Sequence, residues 1–381
     1  MEKITLFLLT GGWGESEAEQ ALNRAHQAAA RDLLETLLQI PSIGQAVVAT
    51  DDPIWADTLR DLPVTVDLDP SDQPFHFGQR LVELVEQYGA ERVLYIGGGS
   101  APLLSTSHWA KIAGRLHQAD RLVITNNVHS CDWAAFVPAR EAASLIAEQA
   151  NDNAIAWTLA NQADFPVAGM EASAGSRFDI DTPVDLLIAH RHPEIGSHLR
   201  RYLDELGWES PQLDGILAEM GREAGSLMVA GRASSAAWRS LEQSTRCWVR
   251  VFVEERGMRA SGRQERGEVR SLLADYLDIV GVEDFFQTLS ELTNAVLLDN
   301  RVILASRALW PSTLDRFNSD LYRWEDVEEP FLRRLTRAAA EAPIPVLMGG
   351  HSVVAGGLMA LTESLLAGNP DLHGKDRQNI R

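Results

Sequence analysis

Cysteine is nearly absent: Cys131 and Cys247 are the only two in 381 residues, and neither has a CxxC partner. That argues against a disulfide framework and a structural zinc site, and makes a reducing, cytoplasmic compartment the expectation. Histidines 26, 76, 117, 129, 190 and 192 form no H-E-x-x-H pattern, which removes the usual zinc-hydrolase reading. No apolar run approaches the roughly 18 to 20 residues of a membrane span. The opening apolar run, residues 1–9, is too brief for a secretion signal and reads as a first strand. Positive charge is scarce as well. Residues 1–200 hold 13 Lys and Arg against 27 Asp and Glu, and residues 201–381 hold 21 against 27, within a net charge of -20. Nucleic acid is a poor partner for such a surface, because its binding rests on basic residues releasing counterions. A small ligand, bridged by a metal ion, fits better.

A chain of this length predicts two domains, each able to bury its own core. Up to about residue 195, short apolar runs alternate with amphipathic stretches, the pattern of βαβ units and a mostly parallel sheet. Strands are predicted at residues 4–9, 46–50, 64–66, 92–96 and 122–125, and helices at 18–39, 79–88 and about 107–117. The first of these helices places Leu22, Ala25, Ala29, Leu33 and Leu37 on one face. The alternation breaks between about 193 and 211, giving a first domain over 1–200, a second over 205–373, and a polar tail at 374–381.

Two stretches of the first half bear on chemistry. Thr10-Gly11-Gly12-Trp13-Gly14 lies between the first strand and the first helix, where backbone amides and the helix dipole can cradle a phosphate. Glu15, Glu17 and Glu19 follow at once, and the loop has neither a Walker lysine nor G-x-G-x-x-G spacing, so a plain tight turn is the competing reading. In Arg177-Phe178-Asp179-Ile180-Asp181-Thr182-Pro183-Val184-Asp185, strand alternation would put Asp179 and Asp181 on one face. Thr182, Pro183 and Asp185 then signal a helix start. Two carboxylates at a strand end suit a divalent cation; the competing reading is that Asp185 caps and Asp179 faces solvent.

The run Asp-Ile-Asp-Thr-Pro-Val-Asp-Leu resembles the closing D-x-D-T-P-x-D-L motif of nucleotidyltransferases with the nucleotide-diphospho-sugar transferase fold, above all the MobA-like and 2-phospholactate guanylyltransferase types. The resemblance covers roughly residues 1–190. Residues 33–53 are similar to the family's helix and following strand end, Phe77-Gly78-Gln79-Arg80-Leu81 to its G-x-R-L segment, and residues 95–105 to its central I-G-x-D-x-P-x-L motif. It implies a three-layer, Rossmann-like α/β sandwich. It also implies transfer of a nucleotidyl group from a nucleoside triphosphate to a small phosphorylated or hydroxyl acceptor, with Mg²⁺ or Mn²⁺. Asp179 and Asp181 would be catalytic, Asp181 holding the metal. Gly11, Gly12, Gly98, Ser100, Arg80 and Arg177 would bind the nucleotide, and Asn126 and Asn127 would read the acceptor. Two departures stand out: the family's metal-binding aspartate falls on Ser100, and no Arg or Lys lies between Lys3 and Arg24. They keep open two alternatives: a catalytically degenerate binding or regulatory protein, and a glycosyltransferase-like enzyme using a nucleotide sugar.

The second half reads as helix-rich α/β, with strands expected at 227–230, 248–253, 296–298 and 346–348. Gly349-Gly350-His351-Ser352 forms a glycine turn before an apolar helix, where an anion or simple close packing is the choice. Asp299-Asn300-Arg301 with Arg316 and Asp320 is a further polar group. A second ligand or a homodimer contact is the expected use of this half.

Overall fold

The computed structural model describes residues 3–12, 14–70 and 74–368; Trp13 and the polar tail lie outside the described residues. The chain divides into two compact units. One comprises residues 1–15, 23–180 and 196–202, the other residues 16–22, 181–195 and 203–381.

The first unit is built on a seven-stranded sheet. Its strands are β1 (Ile4–Leu9), β2 (Ile43–Thr50), β3 (Thr65–Leu68), β4 (Val93–Gly97), β5 (Leu122–Thr125), β6 (Trp133–Val137) and β7 (Val167–Gly169), in the order β3-β2-β1-β4-β6-β5-β7. β1 pairs in parallel with β2 and β4, while β6 runs antiparallel to both β4 and β5. The α/β class and the mostly parallel sheet follow the alternation in the sequence; β6 and β7 do not, being a buried hairpin return and a three-residue edge. Period-two alternation splits the strands between two apolar layers. Leu6, Leu8, Val48 and Ile96 pack with Leu34, Trp109 and Trp133 on one side of the sheet, and Phe7, Val47, Val93 and Tyr95 with Leu81 and Phe136 on the other. Trp109 and Trp133 meet with ring centroids 5.0 Å apart. Each such side chain, fully buried, contributes about 1.5 to 3 kcal/mol.

The expected strand through 177–181 does not form. A short helix, Ala174–Arg177, is followed by extended chain whose backbone groups bond to a loop and a histidine ring instead of a neighbouring strand. The alternation survives all the same: Phe178 and Ile180 are buried, Asp179 is half-buried and Asp181 is exposed. The helix Pro183–Arg191 groups with the second unit, not with the first as the break near 193–211 implies. The reason is packing: the Ile188 side chain lies over Gly357, where an added Cβ would stand 2.9 Å from its Cδ1.

The second unit holds four parallel strands, β8 (Ser226–Gly231), β9 (Trp248–Val253), β10 (Ala295–Asp299) and β11 (Val346–Gly349), in the order β11-β10-β8-β9. All four lie where the apolar runs place them. Met228, Ala230, Val296, Leu298 and Met348 pack against Phe285, Phe286 and Leu335. No helix among the described residues is long and apolar enough to cross a membrane.

Candidate functional site

In the first sheet the chain runs from β1 outward to β2 and β3, then returns to place β4 on the other side of β1. The strand order reverses between β1 and β4, and in open α/β sheets ligands bind outside the carboxyl ends of the strands at such a point. The loops there are Thr10 to Gly12 and Gly97 to Ser100, parts of two of the sequence-predicted motifs.

These loops are locked together with a third segment 80 residues further along. The Gly98 amide donates to Leu9 O at 2.8 Å, and a Cβ at Gly98 would fall 2.5 Å from Thr10 Oγ1, so only glycine fits against the first loop. Gly99 has φ +82°, and a Cβ there would lie 2.6 Å from the His26 ring. His26 Nε2 is 2.5 Å from Ile180 O, and the Ile180 amide donates to Gly99 O at 3.1 Å. Thr10, Gly98, Gly99, His26 and Ile180 therefore form one continuous set of contacts, and Asp179 and Asp181 are the residues on either side of the anchored Ile180. His26 was not legible as a site residue, since nothing local marks a histidine whose partner lies 154 residues away.

Several predicted roles change in the folded chain. The Gly98 amide is engaged by Leu9 O, and the Gly12 amide donates to Asp51 Oδ1 at 2.5 Å, so neither is an open phosphate donor. The loop has captured a carboxylate of its own, the anion nearest to hand in an acidic half. Arg80 is drawn into ion pairs of 2.7 Å with both Asp67 and Asp69, and its side chain is only 10% exposed. It neutralises the end of β3 rather than serving as a free cation. Ser100 is buried and its hydroxyl donates to Asp132 O at 3.1 Å. Asn126 donates its carboxamide N–H to the Asp132 carboxylate and accepts from the Asp132 amide at 3.1 Å, while Asn127 Oδ1 accepts from the His129 amide. Both asparagines thus shape the β5–β6 turn. Arg177 closes the helix before Phe178 and is half-buried.

Asp132 is the residue that sequence reasoning missed. Its carbonyl accepts from Gly97 and Ser100, and its carboxylate sits against Asn126, beside the Gly97–Ser100 loop. The signal lay in β6, whose return brings Asp132 back to β4. With Asp51, Asp52, Asp69 and Asp179, the carboxyl edge of this sheet is acidic. Burial pushes the Asp69 carboxyl above its usual value, although Arg80 opposes that shift. Among the described residues no three His, Cys, Asp or Glu side chains cluster as an all-protein metal site.

Asp185 has a different place from Asp179 and Asp181. Its Oδ2 accepts from the Asp181 amide (3.1 Å), the Thr182 amide (2.8 Å) and the Thr182 hydroxyl (2.9 Å), the reciprocal capping expected from Thr-Pro-x-Asp. Burial first, and the Asp181 charge second, push its carboxyl up to about 7, against the opposing Ser352 and Thr182 hydroxyls. A carboxyl raised in the folded state keeps its proton while the unfolded chain has lost it, so folding becomes less favourable as pH rises from about 4 to about 7 and levels off above. We expect Asp185→Asn to remove up to about 4 kcal/mol of that slope. In urea titrations with chelator present, wild type should lose stability relative to the variant between pH 4 and 7.5. Parallel curves would show that the Asp185 carboxyl holds its proton no more tightly in the folded chain than in the unfolded one.

No family model matches the chain, and no curated protein matches it in sequence. Solved structures do. A protein of Desulfovibrio desulfuricans assigned as a nucleotide-diphospho-sugar transferase matches with 13% identity, TM-score 0.40, over 54% of this chain and 97% of its own. A cytidylyltransferase from Leptospira borgpetersenii matches with 15% identity, TM-score 0.39, over 54% and 93%. A 4-diphosphocytidyl-2C-methyl-D-erythritol synthase from Anaerococcus prevotii matches with 15% identity, TM-score 0.34, over 49% and 95%. The likeness is one of fold and spans about half of the chain.

Proposed function

We propose that the chain binds a nucleoside triphosphate at the crevice between β1 and β4 and transfers its nucleotidyl group to a small phosphorylated or hydroxyl acceptor. The observation that supports this most is the convergence of three sequence-distant segments at the point where strand order reverses, with Asp179 and Asp181 flanking the residue that ties them together.

Mg²⁺ or Mn²⁺ suits this donor set. Such ions are commonly held by one or two carboxylates plus the substrate's own phosphates, so two aspartates on one segment suffice without an all-protein cage. When bound, the ion would neutralise phosphate charge that the acidic edge would otherwise repel. Asp179 and Asp181 would hold it. Thr10 and His26 position the two glycine loops, and Ser100 steadies the second loop through Asp132. A phosphate approaching Gly12 would have to displace Asp51 from its amide, and a carboxylate released in this way is free to turn toward a cation.

A second reading is a binding or regulatory protein that keeps the fold without turnover, favoured by the Ser100 hydroxyl bonded to Asp132 and by the closed Asp51–Gly12 contact. A thermal-shift panel separates the two. ATP, GTP, CTP, UTP and nucleotide sugars are compared with and without Mg²⁺ or Mn²⁺, on wild type and Asp179→Asn, because ligands of the folded state raise the melting temperature by mass action. We expect a metal-dependent rise of several degrees with one nucleotide, lost in Asp179→Asn. A metal-independent rise retained in that variant would favour the binding protein, and no rise with any nucleotide would remove both.

A further inference from the structure

The second unit carries a set of guanidinium groups that its own carboxylates pair only in part. From β8 the chain passes to β9 on one side and later to β10 and β11 on the other, so the strand order of this sheet reverses between β8 and β10. The carboxyl ends of those strands deliver Arg232 and Asp299-Asn300-Arg301, and β11 delivers His351. Asp299, fully buried, takes two bonds from Arg232 at 2.6 and 3.0 Å, and Asp320, also fully buried, takes Arg301 at 2.6 Å. Those pairs are closed.

Two more guanidinium groups share the cluster. Arg316 donates to Pro311 O and to the Thr313 hydroxyl and stands 5.0 Å from the Trp310 ring centroid, while Arg259 is exposed. Neither has a carboxylate within ion-pair distance among the described residues. The Arg259 charge acts on both His351 and Arg316, which joins the groups into one field. Burial first, and Arg301 second, hold the Arg316 guanidinium below its usual range, against the opposing Asp320 charge. Asp181 also reaches this field, through His351. Inside, Asn300 has no exposed surface; its Oδ1 accepts from Arg301 at 2.7 Å while its Nδ2 has no partner. The second oxygen of Asp320 is equally buried and unpartnered, an acceptor for a hydroxyl or a protonated phosphate oxygen. In a chain of net charge -20, guanidiniums without a carboxylate partner and a buried amide with an unused donor, gathered at a strand-order reversal, have the chemistry that recognises an anion.

We propose that the carboxyl edge of the second unit's sheet binds the phosphate group of a small phosphorylated molecule, with Arg259 and Arg316 as its charge partners and Asn300 as a buried donor. This binding needs no metal ion. The test is calorimetric titration of the full chain at constant ionic strength with EDTA, using inorganic phosphate and glycerol phosphate, with acetate and chloride as comparison anions. The expected result is saturable binding of both phosphates, weakened roughly 10- to 100-fold in Arg259→Gln and Arg316→Gln and unchanged in Asp179→Asn. Arg259 is exposed and its removal relieves repulsion, so ligand-free Arg259→Gln should melt no lower than wild type. If Arg316→Gln does not fold, Arg259→Gln decides alone. Absence of phosphate binding, affinity unchanged in Arg259→Gln, or binding lost in Asp179→Asn would each overturn the proposal.

Discussion

Gly78→Ala is expected to abolish folding of the first unit, or to cost it more than about 3 kcal/mol, the range of severe overpacking. A Cβ at this position would lie 2.2 Å from Ile146 O and 2.5 Å from Ala147 O. Both obstacles are backbone, so no side chain can swing aside. The helix Phe77–Gln87 meets the end of the helix Ala139–Ile146 here, and the Gly78 amide donates to Gln149 O at 2.9 Å. The same substitution at Gly114, inside the helix Thr106–Gln118 with nothing within 4 Å of the new Cβ, should stabilise by about 0.5 to 1 kcal/mol. Circular dichroism melts of the two variants check the contrast; a Gly78→Ala protein melting within a few degrees of wild type would mean that the two helices can separate cheaply. The position lies in the segment that resembles a ligand-binding G-x-R-L. In the folded chain its glycine serves helix packing, and its arginine serves Asp67 and Asp69.

Asp299→Ala should cost about 3 to 5 kcal/mol, because it strands the Arg232 guanidinium in a largely buried position after removing its bidentate partner. Replacing both residues by apolar ones, Asp299→Leu with Arg232→Met, should recover much of that loss, since a buried pair gains little over apolar packing while a broken pair loses heavily. Burial raises the cost of ionising Asp299, but the Arg232 charge and its hydrogen bonds outweigh that and hold the carboxyl below its ordinary value. A depressed carboxyl contributes stability that is complete above its unfolded value of about 4 and is lost as pH falls through the folded value. The wild type should therefore lose its advantage over Asp299→Ala only in acid, below about pH 4. Urea unfolding at pH 7 and pH 3 tests both statements. A pH-independent difference would assign the loss to a cavity instead of to the ion pair.

The sequence by itself determined most of the strands, because the signals are local. Strands β1 to β5 and β8 to β11 announce themselves as short apolar runs between turn residues, and the helix Pro183–Arg191 by its Thr-Pro-x-Asp start. The alternation of these elements also carries the α/β class. What only tertiary structure decided are facts about partners. β6 reads as a strand only once its antiparallel return between β4 and β5 is known, and with it comes Asp132. The segment 178–181 has strand-like alternation, yet its hydrogen bonds go to Gly99 and His26. Gly12, Gly98, Arg80, Asn126 and Asn127 have the chemistry of ligand contacts, and folding engages each with the protein's own groups. Periodicity and capping depend on residues a few positions apart and can be read along the chain. The occupancy of a donor or the pairing of a charge depends on which of many distant groups arrives first within 3 Å, and that is settled only when the sheets close.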